Sequence, residues 1–126
     1  MKFGSWNIQR GLLQKFDAIQ HSASFYKLDI FSLSEVELTS DSLPPVIPGF
    51  DYFLSNESPC RIIAYAKHSF CAKQIEVPVE IPAIVLETAN CTFGFIYSQF
   101  TDKAYTHLNK NLTDKERCCR LIDFLQ

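Results

Sequence analysis

Three short apolar runs in this chain each end in a polar residue able to do chemistry: Ser5-Trp6-Asn7, Leu33-Ser34-Glu35 and Thr92-Phe-Gly-Phe-Ile-Tyr97. Between the first two lies a helical pattern. Leu12, Phe16, Ile19, Ala23 and Tyr26 recur at helical spacing, with Gln14, Lys15, Asp17, Gln20 and Ser22 on the opposite face. A buried strand over Lys2 to Gln9 carrying Phe3, Trp6 and Ile8, a turn at Gly11, this helix and a strand over Ile30 to Leu33 fill the roughly 35 residues of a βαβ-like unit. That unit commits the chain to an α/β architecture. In such sheets ligands gather beyond strand ends, so an amide, a carboxylate and a phenol placed there point to one shared site.

Downstream the punctuation changes. Pro44, Pro45 and Pro48 break regular pairing between Thr39 and Pro48, which reads as a loop. A meander is expected beyond it, with strands over Phe50 to Leu54, Arg61 to Ala66, Ile81 to Thr88 and Cys91 to Tyr97, the last two joined by a tight turn at Ala89-Asn90. Pro78 and Pro82 each remove a ladder donor and place the segment between them at a sheet edge or bulge. After a polar loop, Thr113-Asp114-Lys115-Glu116 supplies a capping box for a closing helix with Cys118, Leu121, Ile122 and Leu125 as its apolar stripe. Neither a glycine cap nor a proline stop ends that helix before Gln126, so a longer domain is expected.

Composition bounds the partners. The 126 residues are 47% hydrophobic and 21% charged, enough apolar content for one globular core. A net charge of −2 gives no whole-chain attraction for a polyanion, so nucleic acid would need a local basic patch. The five cysteines, at 60, 71, 91, 118 and 119, show neither Cys-x-x-Cys nor zinc spacing and read as free buried thiols. With no secretory h-region and no run of membrane-span length, an intracellular location, nuclear or cytoplasmic, is expected, and the Asn56, Asn90 and Asn111 glycosylation patterns are chance matches.

The run Ser5-Trp6-Asn7-Ile8-Gln9-Arg10-Gly11-Leu12 resembles the opening strand of the endonuclease/exonuclease/phosphatase family, which has the deoxyribonuclease-I-like fold. Asp29-Ile30-Phe31-Ser32-Leu33-Ser34-Glu35 resembles its second strand, and Cys91 to Tyr97 the strand after which the family usually reads Tyr-x-Pro. The resemblance covers nearly the whole chain and implies the amino-terminal half of a four-layer α/β/β/α sandwich with mixed, mostly antiparallel sheets, residues 1–126 being one partial domain. The family's Gly-Asp-x-Asn and Ser-Asp-His signatures are absent, no proline follows Tyr97 closely, and Cys60 to Ala66 lacks the glycines usual there.

What the resemblance implies for the site follows residue by residue. Glu35 would bind the metal, Mg²⁺ with Mn²⁺ as an alternative, because a hard cation takes carboxylate oxygen and fills its other positions with water and substrate phosphate. Asn7 would hold that carboxylate, the metal or a phosphate oxygen in place, and Tyr97 would donate a hydrogen bond to the scissile phosphate. Each has a plainer reading: Glu35 and its neighbour Glu37 as solvated charges, Asn7 as the cap of a turn before Gly11, Tyr97 as a packing residue with a wet hydroxyl. Trp6 reads as core. His21, His68 and His107 read as surface residues, as do Arg10, Arg61 and Lys67, whose alternative reading is contact with phosphate.

The implied activity is metal-dependent phosphodiester hydrolysis of the endonuclease type on DNA, within a longer domain that supplies the water-activating aspartate and the histidine. A retrotransposon protein with a fused reverse transcriptase is the branch expected. Two alternatives stand beside it: a phosphoinositide or sphingomyelin phosphatase of the same fold, and a noncatalytic interaction module or decayed fragment.

Overall fold

The computed structural model describes residues 1–39, 41–57, 59–78 and 82–97. Strand β1 (Phe3–Asn7) leads through helix α1 (Leu12–Phe25) to β2 (Ile30–Leu38), then β3 (Phe50–Leu54) and β4 (Cys60–Lys67). A short 3₁₀ turn at His68–Phe70 precedes β5 (Lys73–Ile75), β6 (Ala83–Glu87) and β7 (Thr92–Ile96). Among the described residues these strands form two sheets, one ordered β1-β2-β4-β3 and one ordered β5-β6-β7. The β1–β2 pair is parallel across the α1 crossover, as the βαβ pattern requires, and the other pairs are antiparallel.

The layering follows from which strands are apolar on both faces. In β2, Phe31 and Leu33 pack toward α1 with Leu12, Ile19 and Ala23, while Ile30 packs toward the second sheet. In β4, Ile63 and Tyr65 face the helix side, and Ile62, Ala64 and Ala66 meet Ile84 and Leu86 of β6. A strand buried on both faces needs a continuous apolar run, and Ile62 to Ala66 provides it. Each large side chain so buried stabilises by about 1.5–3 kcal/mol. The result is α1, first sheet and second sheet stacked as three layers.

Several expectations change in detail. β1 alternates between exposed and half-buried positions, and Phe3 is 65% exposed, because β1 has one strand neighbour among the described residues. Tyr26 caps α1 and is exposed, so the helix stripe ends at Ala23 and Leu28 fills the next core position. The expected meander is divided between the two sheets. β5 was not legible, since three residues, two of them exposed and polar, carry no periodic signal. Of the cysteines described, Cys60 is buried but Cys71 and Cys91 are exposed. The Ala89-Asn90 turn is present, held by Thr88 N–H donating to Cys91 O at 2.8 Å. The closing helix, His107 and residues 79–81 between the two prolines lie outside the described residues.

Candidate active site

β2 does not stop at Glu35 as a simple strand end. Its register with β4 runs regularly from Ile30 to Ser34 and resumes at Leu38, opposite Cys60, so the intervening residues form an irregular bulge. Val36 within it is buried in the helix-side core, and the residues on either side turn left-handed, Glu35 at φ 59° and Glu37 at φ 52°. Such backbone costs a non-glycine residue about 1–3 kcal/mol and persists only where its surroundings enforce it. Here the Arg10 N–H donates to Glu35 O at 2.9 Å and the Ile8 N–H to Ser34 O at 3.1 Å.

The loop that makes those bonds is itself unusual. Gln9, Arg10 and Gly11 are consecutive left-handed residues, with φ of 52°, 67° and 72°. Asn7, the last residue of β1, starts the turn by accepting the Gln9 N–H on Oδ1 at 3.0 Å. The turn-capping reading of Asn7 is therefore realised. The β1–β2 register sets Asn7 opposite Ser34, next in sequence to Glu35, and among the described residues no hydrogen bond joins Asn7 to Glu35.

Tyr97 lies just beyond β7, fixed by its N–H donating to Pro82 O at 3.0 Å. Its ring belongs to the core between the sheets and the residue is only 9% exposed. A tyrosine buried that far needs a partner for its hydroxyl. Tyr97 Oη donates to Glu35 Oε1 at 2.7 Å, joining residues 62 positions apart and tying the second sheet to the bulge in the first. Burial raises the Tyr97 phenol to about 12, and the bond to Glu35 adds to the rise because it needs the phenolic proton. Glu37 acts in the same direction, while the charge of Arg61 opposes them.

Glu35 and Tyr97 are thus brought together, with Asn7 on the adjacent strand. Glu37 and Arg61 also act electrostatically at Tyr97; by sequence Glu37 reads as a loop carboxylate on the same side as Glu35, and Arg61 as an ordinary surface charge. No local signal marks Arg61, because its relation to Tyr97 exists only once the sheets stack. Trp6 is half-buried and meets Phe31 edge-on at 5.6 Å, so it serves the core. Lys67 and His68 lie at the other end of β4, where they pair with Asp29 at 3.0 Å and Asp51 at 2.7 Å, and His21 is exposed on α1.

A metal would find one carboxylate already placed. Among the described residues no cluster of three or more His, Cys, Asp or Glu side chains forms a cage. The donor chemistry nonetheless fits a hard cation, since Mg²⁺ commonly takes one or two carboxylates plus water and phosphate, and Glu35 takes the Tyr97 hydrogen bond on one of its two oxygens, Oε1. Glu35 is the candidate ligand, and Asn7, whose Oδ1 already serves the turn, is placed beside it on β1.

No family model and no curated protein matches the chain. Solved structures do. A 3′ phosphatase from Neisseria, NExo, solved bound to a product DNA hairpin, superposes with a TM-score of 0.62 at 15% identity, over 87% of this chain and 48% of that one. The D. rerio protein TDP2, solved with a single-strand DNA product, gives a TM-score of 0.46 at 11% identity, over 91% of this chain and 62% of that one. The chain therefore spans about half the length of the NExo structure. Over that span it has the endonuclease/exonuclease/phosphatase fold, α/β with mixed and antiparallel sheets.

Proposed function

We propose that this chain carries part of the active site of a metal-dependent phosphodiesterase acting on nucleic acid, with DNA as the substrate. The observation that carries the reading is the hydrogen bond from Tyr97 Oη to Glu35 Oε1, made across the two sheets between the residue just beyond β7 and the bulge inside β2. Packing alone would not require a carboxylate inside a strained bulge. The resemblance of Asn7, Glu35 and Tyr97 to the family's site and the fold shared with a DNA 3′ phosphatase support the same reading.

The roles follow from the chemistry of each group. Glu35 is the ligand for Mg²⁺ or Mn²⁺, with Asn7 beside it as a neutral positioning group. When bound, the ion supplies Lewis-acid polarisation of a phosphoryl oxygen. Tyr97 keeps its proton at neutral pH, since its phenol titrates at about 12, and so remains a donor. Redirected from Glu35 to a phosphoryl oxygen, that donor would stabilise charge developing in the transition state. The aspartate and histidine of the family scheme have no counterpart among the described residues, so water activation belongs to sequence beyond them.

The test is cleavage by the protein expressed from its full coding sequence, with Mg²⁺, on a supercoiled plasmid and on a phosphoinositide. Nicking of the plasmid, lost at least about 100-fold in Glu35→Gln, is expected. Release of phosphate from the lipid without nicking would replace the substrate class, and no turnover of either would leave a noncatalytic module as the reading.

A further inference from the structure

We propose that Arg61 is the substrate-phosphate binding residue of this site, gripping a non-bridging oxygen of the nucleic-acid backbone; the inference rests on the phosphodiesterase reading above. The register of β4 against β2 pairs Ile62 with Ser34 and Cys60 with Leu38, which sets Arg61 across from the bulged span that holds Glu35 and Glu37. The residue is half-buried, with Nε out of solvent. Its backbone is fixed as well: the Arg61 N–H donates to Glu57 Oε1 at 2.9 Å, and Ser55 Oγ donates to the same oxygen at 2.7 Å.

Electrostatics gives the placement its meaning. A phosphate approaching Tyr97 meets Glu35 in direct contact with the phenol and Glu37 acting at the same point. The chain's net charge of −2 does nothing to offset that repulsion. Arg61, across the ladder from the span that holds both carboxylates, is a cation placed to offset them. Its planar fork suits a phosphate, offering parallel N–H donors where lysine offers a point charge. A bound divalent metal would offset the charges of Glu35 and Glu37 together, so the contribution of Arg61 is largest when no metal is bound.

Binding of a fluorescein-labelled DNA duplex to the full-length protein, followed by anisotropy across salt concentrations without divalent metal, tests this independently of turnover. Losing one phosphate contact should make the slope of log affinity against log salt shallower by about 0.9. Arg61→Gln should show that change together with about a 10-fold loss of affinity at low salt. Arg61→Lys should keep the slope but lose several-fold in affinity, and it serves as the decisive variant if Arg61→Gln fails to give a cooperative melt. Wild-type binding with slope and affinity unchanged in either variant would overturn the role of Arg61 and leave the phosphodiesterase reading standing. Absence of DNA binding by the wild-type protein would overturn the role of Arg61, while the phosphodiesterase reading stands or falls on plasmid nicking with Mg²⁺.

Discussion

Two of the places where left-handed backbone occurs in this fold, the end of α1 and the bulge in β2, adopt it for different reasons. At Lys27, φ 55°, it ends helix α1: the Lys27 N–H bonds Ser24 O at 3.1 Å and the Leu28 N–H bonds Ala23 O at 3.0 Å, the paired pattern of a Schellman stop. The strain there is local, and burial of Leu28 behind the stop holds it. At Glu35 and Glu37 no helix ends. The strained residues lie within a strand, and what holds them is tertiary: the Arg10 N–H from the β1 loop and the Tyr97 hydroxyl from the second sheet. Positive φ by itself thus marks no site. It becomes informative when nothing local requires it and a titratable side chain is what it positions.

The strongest way to break this contrast is to remove the tertiary tie. Tyr97→Phe should lower the rate of plasmid nicking by about 10- to 100-fold, and the loss of the Glu35 bond should cost about 1–2 kcal/mol of stability by urea denaturation. A variant as active as wild type would mean that the phenol serves packing alone.

The same bond should be visible in pH dependence. The folded-state value of Tyr97, about 12, lies above its ordinary value of 10, so the native state holds this proton longer than the unfolded chain. Its contribution is therefore complete below pH 10 and declines as pH rises toward 12. Tyr65, also raised by burial, loses stability in the same direction. Tyr97→Phe should leave a shallower alkaline decline, due to Tyr65, and an unaltered pH–stability curve would count against the shift at Tyr97.

Glycine substitution separates the two kinds of strain. Lys27→Gly should raise stability by up to about 1 kcal/mol with activity intact, because glycine carries no left-handed penalty. Glu37→Gly should gain a comparable amount yet lower activity, since the bulge that positions Glu35 is relaxed. Equal activity in both variants would show that the bulge geometry is incidental.

The smallest effect is expected at the ion pairs remote from the bulge. Asp51 and His68 are both substantially exposed, and an exposed pair contributes roughly 0–1 kcal/mol. Asp51→Asn should change stability by less than about 0.5 kcal/mol and leave nicking unchanged. A large loss of activity would extend the site to the far end of β4.

Much of the site was legible because its markers are local. Apolar runs that end in Asn7 and Tyr97 locate strand ends, the run that ends in Glu35 locates the start of the bulge, and α1 is visible in the spacing of Leu12, Phe16, Ile19 and Ala23. The bulge was not legible. Glu35-Val36-Glu37 alternates polar and apolar residues as an ordinary half-buried strand does, and only the broken register with β4 reveals that Val36 is seated in the core by distorting both neighbours. The exposed face of β1 is illegible for a related reason: Phe3 is apolar by type, while burial depends on which strands come to lie alongside.

The sequence by itself determined the type of every element but β5, the parallel β1–β2 pair across α1 and the polar residues that close three apolar runs, because periodicity and turn chemistry act within a few residues. Only the tertiary structure decided that β4 lies between β2 and β3, that the hairpin of β6 and β7 forms a separate sheet, and that Tyr97 reaches Glu35. Those outcomes depend on how two apolar faces stack, and the free energy of burying them is shared among residues far apart in the chain.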